Sequence, residues 1–194
     1  IGHTRYATHG GVTNENAHPF CLYDSIVGAH NGVVSNLEEL KTVVSDDYAV
    51  DSQYLLSLRY IMGDTKFARG SLNLSFHFIN KDADGKLYLQ RHSNPLYLAK
   101  IAGYGGKDAY LYSSIEGSLK MAINMLNLEG EVSEVENFSE VVISDDGISM
   151  EKYEPAYTQY IEHLYLYAFY WHDTCLDIAS RYTLLLPQQQ LVRQ

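Results

Sequence analysis

The sequence predicts a mixed α+β domain of antiparallel hairpins with helices set between them. Three observations carry this. Short apolar runs are separated by Asn-Gly or Asp-Gly pairs, which tolerate the positive φ angles of tight hairpins. Other stretches repeat their apolar residues every three to four positions, the period of a helix. After Pro155 the strand-like alternation stops and one heptad-like series replaces it.

The elements follow in order. Ile1-Gly2-His3-Thr4-Arg5-Tyr6 reads as the body of a strand, so the sequence is expected to begin inside a fold. Residues 25–30 form a short apolar run, and Asn31-Gly32 before Val33-Val34 predicts a hairpin turn. Asn36 is a candidate N-cap with Glu39 in capping-box position, opening a helix over residues 37–44. A second helix is expected over residues 51–62, with Tyr54, Leu55, Leu58 and Ile61 on one face. Residues 72–79 and 86–91 flank Asp82-Ala83-Asp84-Gly85, a hairpin turn. That segment lacks the remaining ligands of a calcium loop. Residues 96–101 and 109–113 are further strands, and the glycine-rich residues 102–106, which lack a phosphate-loop lysine, are expected to be a flexible loop. Residues 118–127 are helical in pattern, and residues 138–144 and 148–153 flank a last Asp-Gly hairpin. Beyond residue 154, Ile161, Leu164, Ala168, Trp171, Cys175, Ile178, Tyr182 and Leu185 predict one long amphipathic, tyrosine-rich helix that docks on its own domain. Two units are therefore expected, residues 1–154 and residues 155–194.

Composition excludes several function classes. With 46% hydrophobic residues in 194, the chain can bury a substantial core. A net charge of −10 disfavours a phosphate backbone, so no nucleic-acid partner is expected. No apolar run approaches the length needed to span a bilayer, and no signal-peptide pattern opens the sequence. A soluble, cytoplasmic protein with no membrane partner is the expectation. Two cysteines make no disulfide framework, and eight scattered histidines show no metal-ligand spacing. No metal and no cofactor are expected.

Three segments carry chemistry: Gly2-His3-Thr4-Arg5-Tyr6-Ala7-Thr8-His9-Gly10, Asn16-Ala17-His18-Pro19 and His30-Asn31-Gly32. In this order they resemble the glutaminase domain of class II glutamine amidotransferases, most closely that of glucosamine-6-phosphate synthases. Asp51-Ser52-Gln53, Arg91-His92-Ser93-Asn94-Pro95-Leu96 and Tyr112-Ser113-Ser114 extend the resemblance to about residue 154. It implies a four-layer αββα sandwich of the Ntn-hydrolase kind, and L-glutamine as the ligand. Arg5 would pair its planar fork with the substrate carboxylate. Asp51 would meet the ammonium, although an acid opening a helix also has a capping role. Thr8 and His9 would line the pocket beside the carboxylate. The Asn31 amide and the Gly32 N–H would form the oxyanion hole, donors worth about 3–4 kcal/mol of barrier each.

The resemblance also shows departures. Tyr6 stands where the family usually has Trp, and Gln53 where it usually has an acid. The family's nucleophile is an N-terminal cysteine, but residue 1 here is Ile1. The segment bearing that cysteine is expected to lie outside this sequence, leaving these residues inactive alone and prone to aggregate around unpaired strands. Cys21 is expected to be a buried, inert thiol and Cys175 a packed position on the heptad stripe. With an upstream cysteine the domain would release ammonia to an acceptor domain or synthase partner. The alternative is a non-catalytic glutamine-binding or interaction module.

Overall fold

A computed structural model describes residues 1–5 and 10–154. Thr8, His9 and the expected C-terminal helix lie outside the described residues.

Residues 1–5 have no regular structure, where the alternation predicts a strand. No described strand pairs with them; side chains hold them instead, through Arg5 to the Gly11 carbonyl (3.1 Å) and His3 to His18. Strand β1 (Phe20–Leu22) then buries Phe20 and Leu22 and turns Cys21 outward. The sequence expectation of a buried thiol is therefore wrong: in a strand with one buried face, the middle of three residues points to the other side.

Strand β2 (Ile26–Val34) corrects a second expectation. Asn31-Gly32 is not a turn; the strand runs straight through it. It pairs with β3 (Gly70–Phe78) along its whole length, from Ile26 opposite Phe78 to Val34 opposite Gly70. The local hairpin preference of Asn-Gly yields to a nine-residue ladder anchored at both ends by Ile26 and Val34 in the core. The tight reversal comes earlier, at Tyr23 and Asp24, both left-handed with φ of 57° and 50°. Gly32 is required for another reason: a Cβ there would collide with the Ser71 carbonyl.

Helix α1 (Leu37–Val43) begins after Asn36, which does not cap it. The Asn36 amide donates to the Phe67 carbonyl (3.1 Å) and to Glu39, and its oxygen accepts the Arg69 N–H (2.8 Å). Tying down the approach to β3 outweighs the local capping box. Helix α2 (Asp51–Met62) has the bounds the sequence predicts and ends at left-handed Gly63. Tyr54, Leu55, Leu56 and Leu58 are buried while Ile61 is exposed, so the buried arc is rotated from the one expected.

Strand β4 (Leu87–Arg91) pairs with β3, and β5 (Tyr97–Tyr104) with β6 (Lys107–Ser113). The glycine-rich segment carries the end of β5 and the tip of the β5–β6 hairpin, with Gly105 and Gly106 at φ of 63° and 89°. Helix α3 (Glu116–Met125) follows, then β7 (Gly130–Glu134), β8 (Ser139–Ser144) and β9 (Gly147–Lys152). β7 escapes a sequence reading because it is charged and exposed along nearly its whole length.

The strands form two antiparallel sheets, β1-β2-β3-β4-β8-β9 and β6-β5-β7. Three cores separate the layers. Leu40, Leu55, Leu72, Leu74 and Phe76 join α1 and α2 to the large sheet. Leu89 and Val141 of that sheet meet Leu98 of the small one and Leu96 just before it. Ala99 and Ile101 meet Leu119 and Ile123 of α3. The order helix–sheet–sheet–helix is the αββα sandwich that the sequence resemblance implies.

Candidate functional site

Two cavities flank the middle of β2. The first, about 360 Å³, is lined by Arg5, His18, Asn31, Gly32, Asp51 and Asn94, among others. Such a volume suits a small ligand. Four of the six residues singled out as site residues, Arg5, Asn31, Gly32 and Asp51, therefore share one cleft. Thr8 and His9 lie outside the described residues.

Each is positioned by a different element. Asp51 opens α2 and is 2% exposed. Its Oδ2 accepts the Val34 N–H (2.9 Å) and its Oδ1 the Ser52 N–H (2.9 Å), which tie the helix N-terminus to the end of β2. The helix dipole favours a carboxylate there. Arg5 comes from the irregular N-terminal residues. Asn31 and Gly32 sit half-buried within β2. The Asn31 carbonyl accepts from the Asn94 amide at 2.9 Å.

Sequence reasoning assigned no role to three histidines that line this cleft, His3, His18 and His30, although all lie inside the quoted motifs. Burial lowers the pKa of His30 and keeps it neutral. Its Nε2 donates to the Ser71 carbonyl (2.8 Å), so its Nδ1 accepts from the Ser52 hydroxyl (3.0 Å). His3 and His18 share one proton between their Nδ1 atoms across 3.0 Å. Burial, and then His3, push His18 down to about 3; burial and Arg5 lower His3. The cleft thus holds a guanidinium and a carboxylate among neutral imidazoles. Among the described residues, no cluster of His, Cys, Asp or Glu could hold a metal ion.

The second cavity, about 440 Å³, adjoins the first at His3, Thr4 and Asn31. Its lining includes the amides and hydroxyls of Asn73, Ser75, Gln90, Tyr112 and Ser113 and carries no acidic or lysine side chain.

Comparison with known proteins settles the family. A glutamine–fructose-6-phosphate aminotransferase from Corynebacterium glutamicum is 30% identical over 152 residues, 66% of this chain and 23% of its own length. One from Chlamydia caviae is 31% identical over 162 residues, 72% of this chain and 26% of its own. The chain belongs to the class II glutamine amidotransferase family and has its Ntn-type fold. This amidotransferase domain spans about a quarter of the length of those relatives. Its fold matches the B. subtilis glutamine phosphoribosylpyrophosphate amidotransferase complexed with ADP and GMP, at a TM-score of 0.58 and 20% identity, over 78% of this chain and 34% of that one. It also matches a glutamine aminotransferase class-II domain protein from Silicibacter pomeroyi, at a TM-score of 0.50 and 15% identity, over 74% of each chain. No family model matches the sequence. No helix among the described residues is long and apolar enough to cross a membrane.

Proposed function

We propose that residues 1–154 bind free L-glutamine and serve glutamine-amide hydrolysis. Arg5 pairs with the α-carboxylate and Asp51 with the ammonium, with Thr8 and His9 beside the carboxylate. The Asn31 amide and the Gly32 N–H receive the oxygen of the side-chain amide. An N-terminal cysteine outside these 194 residues attacks the amide carbon, its thiol proton passing to its own α-amino group. The oxyanion that forms meets the two donors, the C–N bond breaks, and the amide nitrogen takes up the proton the thiol gave and leaves as ammonia. Water then cleaves the thioester to glutamate. The relatives are named as glutamine–fructose-6-phosphate aminotransferases, which supports an acceptor domain or synthase partner for the ammonia.

The observation that carries this reading is the shared cleft: one fixed cation, one buried carboxylate and an amide-bearing strand line the same 360 Å³. A glutamine-binding module without turnover is the second reading for these 194 residues, because the only thiol among the described residues, Cys21, is exposed on β1 and does not line the cleft.

Calorimetric titration tests the binding. L-Glutamine is expected to bind one to one. Glutaramate, which lacks the ammonium, and 4-aminobutyramide, which lacks the carboxylate, should each bind at least about tenfold more weakly. Equal affinities for all three would overturn the assignment of Arg5 and Asp51. Ammonia release by the 194-residue chain alone would overturn its dependence on an outside cysteine.

A further inference from the structure

Asn94 is a cleft residue to which neither the resemblance nor the proposed chemistry gives a role. It lies in the β4–β5 connection, yet it is built firmly into the site. The Asn73 amide donates to the Asn94 carbonyl (2.8 Å), and so does Arg91 Nε (3.0 Å). Asn73 is itself 5% exposed, stands opposite Asn31 in the β2–β3 ladder, and accepts the His92 N–H through its own oxygen (2.8 Å). The backbone of Asn94 is therefore fixed to the same pair of strands that carries Asn31 and Gly32.

Its side chain is fixed as well. The Asn94 Nδ2 donates to the Asn31 carbonyl (2.9 Å), and because a carbonyl only accepts, the orientation of this amide is settled by chemistry. Held by its nitrogen on Asn31, the amide has its Oδ1 left over, and no described residue donates to that oxygen. Asn94 lines the same cleft as Asn31 and Gly32, and it thus brings to the site an acceptor that cannot turn into a donor without breaking a hydrogen bond.

We infer that Asn94 is the specificity residue that distinguishes a carboxamide from a carboxylate. A primary amide offers an oxygen to the Asn31-Gly32 donors and an NH₂ to the Asn94 Oδ1. A carboxylate offers oxygens to both and meets the Asn94 Oδ1 as a second, repelling acceptor. Sites that hydrogen-bond a particular group reject the analogue that leaves a partner unmatched. The pair so separated is L-glutamine and L-glutamate, substrate and product of the proposed reaction, and the inference rests on that reading of the cleft.

The test is calorimetric titration of the 194-residue chain with L-glutamine and with L-glutamate, alongside the Asn94→Ala and Asn94→Thr variants. The original chain is expected to prefer glutamine. Asn94→Ala should cut that preference about tenfold, through weaker glutamine binding with glutamate affinity held or improved. Asn94→Thr keeps an oxygen that can accept and should retain part of the preference. It also decides the matter if the Ala variant melts below the assay temperature. Equal weakening of both ligands in the folded variants overturns the inference and leaves the glutamine reading standing. Failure of the original chain to bind either ligand overturns both.

Discussion

The two ends of the space between the sheets are built by opposite rules. At the β4–β8 end, Leu89 and Val141, both fully buried, close against Leu96 and Leu98, with Leu87 and Ile143 at the margin. At the β2–β3 end the same face of the large sheet presents Asn31, Asn73 and Ser75 to a 440 Å³ cavity. One end is apolar, with Leu89 and Leu96 also forming a wall of that cavity; the other is polar and open. The apolar end holds the sheets together, which leaves the other end free to carry polar side chains. On the proposed reading of the adjoining cleft, stability and recognition fall to different strands of one sheet.

This separation can be broken deliberately. The largest effect is expected from Leu89→Ala. A fully buried leucine at the sheet–sheet junction should cost about 2–5 kcal/mol in urea unfolding, with glutamine affinity unchanged in the folded fraction. A parallel loss of affinity would show that the two ends are coupled.

Next in size is Arg5→Lys, in the 360 Å³ cleft that adjoins the open end. Losing the bidentate fork should weaken glutamine binding about tenfold or more by calorimetry, with little change in the urea midpoint. A stability loss to match would mean that Arg5 serves the fold through its bond to Gly11 rather than the ligand.

The histidines give a smaller, pH-dependent effect. His18 falls to about 3 in the folded protein against an ordinary value near 6.5, and His3 is lowered too. The unfolded chain takes up protons that the folded chain refuses. Their contribution is therefore complete above pH 6.5 and is lost progressively as the pH falls from there toward 3. The urea midpoint should drop between pH 7.5 and 5, and His18→Asn should reduce that drop.

The smallest effect is expected from Lys107→Gln. Its pairing with Asp145 (3.2 Å) is between side chains 73% and 93% exposed, and the thermal midpoint should not move measurably.

Much of this was legible in the residues. Helix α2, the β3–β4 and β8–β9 hairpins and the layered architecture follow from periodicity, Asp-Gly turns and motif order. Arg5, Asn31, Gly32 and Asp51 were marked by the resemblance to the family's motifs, and the structure brings them to one cleft. What was not legible was the partner of each segment. Asn31-Gly32 looks like a turn until β3 lies beside it; Asn36 looks like a cap until residues 67–69 claim its amide. Cys21 looks buried until the three-residue strand around it fixes which side faces the core. β7 carries too few apolar residues to signal at all.

The sequence by itself determined the periods, the turn chemistry and the family motifs, because these depend on neighbours within a few positions along the chain. Tertiary structure alone decided that β2 continues through an apparent turn and that three neutral histidines surround the cleft. It alone decided that Asn94 reaches Asn31 across 63 positions. Strand register, burial and hydrogen-bond pairing between distant residues are set by how whole layers pack, and no local window of sequence contains that energy.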